Sequence, residues 1–224
     1  MRSKFFILIY VLLCFCKTLL IHAQERPNII YKPITWNAER ERLSLEYLLK
    51  RHGISQDSAR ITPRIIVVHF TENMSVNATF KTFNPVLLPG RKDLQGASQL
   101  NVSSQFIVSR TGQIYQILPD NYFARHTIGL NYCAIGIENI GTSKNPLTKA
   151  QLKANAALIS YLQTKYKIDY VVGHHEYELF NKTLWWRETN PTYITKKRDP
   201  GNQFITALRV LLGFPQKLEI TNLP

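Results

Sequence analysis

The chain has 224 residues, 45% hydrophobic and 19% charged, which excludes a disordered polymer and suits one globular domain with a sizeable core. Its formal charge is +13; Arg2, Lys4 and Lys17 near the start account for three, leaving +10 for the rest. Of three cysteines, Cys14 and Cys16 lie in the N-terminal segment, so Cys133 alone remains beyond it and an internal disulfide is excluded.

Arg2 and Lys4 precede an apolar run from Phe5 to Phe15, and Ala23 stands before the polar Gln24-Glu25-Arg26. This is the pattern of a secretory signal, with cleavage expected after Ala23. Lys17 interrupts the run, which is short for a full span, so residues 1–23 read as a removable signal rather than an uncleaved anchor, with lipidation at Cys14 or Cys16 left open, and no stable membrane span is expected after its loss. Residues 24–224 then form a single exported domain, periplasmic or extracellular. Its basic surface suits an anionic envelope polymer rather than nucleic acid, which an exported chain rarely meets.

Asn37 to His52 reads as a helix. Asn37 can cap it, Glu39 and Glu41 fall in the first turn, Lys50 and Arg51 in the last, and Gly53 ends it. His52 then sits where partial positive charge is favoured and reads as structural. Ile61 to Phe70 holds Ile65-Ile66-Val67-Val68, a buried strand. Residues 73–96 are polar and carry Pro and Gly, so mostly loop is expected. Ser104–Val108 and Gln113–Leu118, joined through Arg110-Thr111-Gly112, form a hairpin. Cys133–Asn139 is a strand in which Cys133 reads as a buried apolar thiol. Thr148 and Gln151 form a capping box for a helix whose apolar positions are Leu152, Ala156, Ile159, Leu162 and Tyr166. Tyr170–His174 is a short strand and Gln203–Leu212 a closing helix. Strands alternating with helices, plus a hairpin, predict an α/β fold: a central mixed β-sheet flanked by helices.

His69 and His174 each end a predicted apolar strand. One such histidine reads equally as a hydrogen-bonded core residue; two can bring distant imidazoles together. His174 and His175 compete for the same role, since a continued strand points them to opposite faces. In Lys196-Lys197-Arg198-Asp199-Pro200-Gly201, Asp199 is either an ion-paired surface acid or a carboxylate fixed by a turn. Two histidines, one carboxylate and one open position make a catalytic zinc arrangement.

The ordered motifs Val67–Thr71, Ile135–Gly141, Val171–Glu176 and Lys196–Gly201 resemble the type 2 family of zinc-dependent N-acetylmuramoyl-L-alanine amidases, over about residues 64–212, preceded by an N-terminal helical extension. That family shares its fold with phage lysozyme-type amidases and animal peptidoglycan recognition proteins. The resemblance implies a Zn2+ site at one edge of the sheet, with His69, His174 and Asp199 as metal ligands. It implies Glu138 and Lys197 as catalytic residues, and His126, with Arg125 beside it, as substrate-binding. The implied reaction is hydrolysis of the amide between the N-acetylmuramoyl lactyl group and L-alanine of peptidoglycan. The alternative is a non-catalytic peptidoglycan-binding protein of the same fold; oligomeric state is left open. Three departures stand out. Gln105 replaces a histidine, Arg125 replaces an aromatic residue, and the stretch after His175 is long, with Tyr177, Phe180, Trp185, Trp186 and Tyr193. That stretch is either a self-packed loop or an extra wall over the cleft.

Overall fold

The computed structural model describes residues 26–90 and 96–220, so the proposed signal, residues 1–23, lies outside the described residues. Six strands form one mixed sheet in the order β1-β4-β3-β5-β2-β6. They are β1 (Ile29–Tyr31), β2 (Ile65–Phe70), β3 (Phe106–Val108), β4 (Ile114–Gln116), β5 (Ala134–Asn139) and β6 (Tyr170–Gly173). Only the β3–β4 hairpin is antiparallel; β2, β3, β5 and β6 run parallel.

The apolar run of β2 has side chains on both faces of the sheet. Ile66 and Val68 pack with Ile135 and Ile137 of β5 against helices α3 (Lys149–Gln163) and α4 (Asn202–Leu212). Ile65 and Val67 pack on the opposite face with Tyr170, Val172, Tyr177, Phe180 and Trp185. Because both faces are covered, period-two alternation of polarity is absent from the sequence although alternation of direction persists. His69, next in that alternation, shares the face of Ile65 and Val67.

Helix α1 (Ala38–His52) starts where Asn37 Oδ1 accepts from the Arg40 amide at 3.0 Å and stops at Gly53 in a left-handed conformation. It packs through Leu43, Tyr47 and Leu48 against Leu100 and Phe123. Arg40 is buried, and its Nη2 donates to the carbonyls of Phe83, Asn84 and Pro85. Those carbonyls follow or end helix α2 (Val76–Phe83), an element inside the stretch expected to be loop. Ser75 caps it, and Thr79 and Phe83 are its buried positions, too short a pattern to register in a polar sequence. The capping box of α3 forms as expected, and buried Gln151 also donates to the Ile140 carbonyl, tying the helix to the end of β5. Strand β6 stops at Gly173, one residue before the expected end, and a 3-10 helix runs from His174 to Phe180. His52 is buried, and its Nδ1–H donates to the Arg187 carbonyl at 3.2 Å. Burial pushes its pKa down to about 4, so it is a neutral imidazole packed in the core, in keeping with its structural reading.

Candidate metal centre

The parallel register determines which side chains meet. His69 of β2 lies directly beside Glu138 of β5, and Val68 lies beside Gly173 of β6. His174, the next residue, is therefore level with His69 at the carboxyl end of the strands. Ligand sites in open α/β sheets form at this end. The backbone of His69 is fixed from behind: Asn139 Nδ2 donates to its carbonyl at 3.1 Å, and Asn155 of α3 donates to Asn139 at 2.7 Å. All three residues are buried.

Asp199 joins from the far end of the chain. Its carbonyl accepts both the backbone amide and Nδ1–H of His175, each at 3.0 Å, which anchors the turn to the start of the 3-10 helix. The Asp199–Pro200 peptide is cis, and Gly201 follows with φ +91°, a conformation that suits glycine alone among ordinary residues. His175 is thus the residue that holds the acid's backbone, while His174 faces the acid's side chain.

Three donor atoms converge. His69 Nδ1 and His174 Nδ1 are 2.9 Å apart, His174 Nδ1 and Asp199 Oδ2 3.1 Å, and His69 Nδ1 and Asp199 Oδ2 3.3 Å. His69, His174 and Asp199 are 2%, 7% and 8% exposed, so water does not compensate this crowding. Oxygen and nitrogen ligands of a tetrahedral zinc, about 2.0–2.2 Å from the ion, stand roughly 3.3 Å from one another, close to the triangle seen here. Burial, with His69 close by, pushes His174 down to about 4. Burial would raise the Asp199 carboxyl, but hydrogen bonds and charge from His174 and His69 outweigh it and hold it well below the usual carboxylate range. A neutral His174 imidazole and an ionised Asp199 carboxylate are protonation states that a divalent cation requires of its ligands.

The triad opens into a cleft of about 420 Å³ that also contains Arg125, His126, Glu138 and Lys197. Glu138 Oε2 is buried without a hydrogen-bond partner among the described residues. Burial drives its carboxyl up to about 7, assisted by Asp199 and opposed by His69 and Lys197. Lys197 is half-buried, and among the described residues no ion pair is formed by it, in contrast to exposed Lys196, which binds Glu178 at 3.0 Å.

Residues 58–202 match the model of the N-acetylmuramoyl-L-alanine amidase family. The chain belongs to that family. Solved structures share the fold of this amidase. The N-acetylmuramoyl-L-alanine amidase LysC from Clostridium intestinale URNW is 19% identical, with a TM-score of 0.55 over 84% of this chain and 99% of that one. The endolysin LysCS from the same organism is 18% identical, with a TM-score of 0.51 over 86% and 99%. A selenomethionine derivative of AmpD is 21% identical, with a TM-score of 0.54 over 84% and 97%. Among curated protein sequences none matches significantly.

The amidase's departures from the expected motifs have structural roles. Gln105 is fully buried; it accepts from the Gly136 amide at 2.7 Å and donates to the Tyr122 carbonyl at 2.8 Å, bracing β5. Arg125 lines the cleft, but Nη1 donates to the carbonyls of Ser98 and Leu100 and the guanidinium lies over the Tyr47 ring. In the long aromatic stretch, Trp185 packs edge-on against Tyr170, and Trp186 stacks on Tyr177. Most of it is therefore core, while Tyr193 and Thr195 reach a small pocket shared with His126 and Lys197. Cys133 is buried, and burial pushes its thiol up to about 12, leaving it inert.

Sequence reasoning passed over Glu176 and Arg209. Glu176 Oε2 accepts from the Gly173 amide at 2.8 Å, and Oε1 pairs with buried Arg209 at 2.9 Å, whose Nε donates to the Val171 carbonyl. The pair fixes the bend that delivers His174. A glutamate three residues after Gly173 was the available signal, a capping pattern at the strand's end.

Proposed function

We propose that this chain is a zinc-dependent N-acetylmuramoyl-L-alanine amidase that hydrolyses the amide between the lactyl group and L-alanine in peptidoglycan. The observation that carries the reading is the triangle of His69, His174 and Asp199 donors beside a buried Glu138 oxygen that has no hydrogen-bond partner among the described residues. A Zn2+ ion held by the three would supply Lewis acidity toward the amide carbonyl and lower the pKa of water at its open position to about 7.

The chain's own groups supply the rest. Glu138, raised to about 7, is poised to take a proton from the attacking water and return it to the departing alanine nitrogen. Lys197, which forms no ion pair among the described residues, is placed to donate to the oxygen that gains charge as the carbonyl is attacked. The cleft wall that includes Arg125 and His126 would receive the substrate. The balance of atoms is that of hydrolysis: the C–N bond breaks, water oxygen joins the lactyl carbonyl carbon, and nitrogen leaves as the free amine of alanine. We further propose that residues 1–23 direct export and that residues 24–224 act as one catalytic domain. A non-catalytic binder would need none of Glu138's desolvation, so the enzyme is the preferred reading.

Digestion of purified sacculi with and without chelator, followed by mass analysis, tests this. Intact glycan, free stem peptides and loss of both with chelator are expected. Products consisting only of shortened stems still attached to glycan exclude the assignment.

A further inference from the structure

His126 occupies an unusual position for a residue whose expected role is to meet substrate. Its Nε2 faces the Ala134 carbonyl at 3.2 Å. A carbonyl only accepts, so Nε2 carries the proton and Nδ1 presents a lone pair. That lone pair faces His69 Nε2 at 3.1 Å and the Thr127 hydroxyl at 2.8 Å. A deprotonated His69 Nε2 would set two lone pairs against each other, so His69 must be the donor. With its one proton on Nε2, neutral His69 has a bare Nδ1, the atom that stands 2.9 Å from His174 Nδ1 and 3.3 Å from Asp199 Oδ2. The rings meet edge to face, at 90° with centroids 5.1 Å apart.

The seat of His126 is built for it. A Cβ on Gly136 would stand 2.9 Å from Cγ and Cδ2 of the His126 ring, so only glycine lets the imidazole lie against the backbone of β5. Asn131 Oδ1 accepts from the backbone amides of both His126 and Thr127, at 2.9 and 2.7 Å, which sets the ring's approach.

We propose that His126 is a positioning residue: through the chain Ala134 carbonyl, His126, His69, it holds His69 in the tautomer whose Nδ1 is free for the metal. The inference rests on the zinc reading above. Such outer partners orient ligand imidazoles and raise their basicity.

The test uses the full chain and Zn2+ itself. Competition with a chelator should show Zn2+ bound about 10–100-fold more weakly in His126→Leu, which fills the space without an acceptor, and within about threefold of wild type in His126→Asn, whose Oδ1 replaces Nδ1. Long-range 1H–15N spectra of the metal-free proteins should show His69 protonated at Nε2 in wild type and His126→Asn, and a mixture of tautomers in His126→Leu. A folded His126→Leu protein with wild-type Zn2+ affinity and an unchanged His69 tautomer, with only KM raised, overturns the proposal and leaves His126 a substrate contact. Wild-type protein that takes up no Zn2+ defeats the zinc reading instead; His69 protonated at Nδ1 in its spectra overturns the positioning role as well.

Discussion

Glu138 and Asp199 are both acids beside the same two imidazoles, yet their surroundings push them in opposite directions. Asp199 is held ionised by His174 and His69, whereas Glu138 is desolvated with one oxygen unpartnered among the described residues. Removal should separate the two roles. Asp199→Ala is expected to lose zinc and activity together, read by metal stoichiometry after dialysis. Glu138→Gln should keep its zinc and lose about 10²-fold or more in kcat; near-normal turnover would remove its role as base. Lys197→Ala should lower kcat by about 10²–10³-fold with little change in KM, the signature of a donor used as charge develops. The motifs that carry the family resemblance single these residues out in the sequence; Glu138 lies in β5, and Lys197 and Asp199 in the loop before α4. His175 was legible only as an open choice, because strand alternation was assumed to continue past Gly173. The partners of His69 were not legible at all: His126 and Asn139 are distant in sequence, and only the parallel register places them around it.

Elements whose ends carry strong local chemistry were read correctly, and those held by tertiary contacts were not. The caps at Asn37 and Thr148 specify α1 and α3 within the local sequence. Strand β1, three mostly exposed residues paired only with β4, and α2, with two buried positions, have no such signature. His52 shows the same limit. Its structural reading holds, but a helix terminus does not fix its charge; packing among Tyr47, Phe123 and Tyr132 makes it neutral. A depressed folded pKa means the unfolded chain binds a proton that the folded one refuses. Stability is then fully present above about 6.5, the ordinary value, and declines as pH falls toward 4. The contribution is up to roughly 3 kcal/mol. Urea titrations of wild type and His52→Leu should show a stability difference that shifts in the variant's favour between pH 7 and 4.5. A constant difference over that range would mean that His52 does not titrate in the folded state as described.

At the scale of the whole molecule, the centre joins segments that are far apart in sequence. His69 comes from β2, His174 from the bend after β6, and Asp199 from the loop before α4, so the ligands span residues 69 to 199. An ion bound to all three exists only when the sheet is registered and the C-terminal turn is docked, because the unfolded chain cannot hold the triangle. Mass action then makes metal a stabiliser of the native state alone, worth about 4 kcal/mol when free Zn2+ is a thousand times its Kd. For a domain of this size each kcal/mol moves Tm by roughly 2–4 °C. Calorimetry should therefore show wild-type Tm falling by about 8–16 °C when chelator replaces saturating zinc. Asp199→Ala separates this from general ionic effects. Without the carboxylate, the bend and the turn remain tied through the His175–Asp199 backbone contact, but the ion loses its anionic ligand. The variant's Tm should respond to zinc by less than half the wild-type shift, and equal responses in the two proteins would place the stabilising ion somewhere other than this triangle.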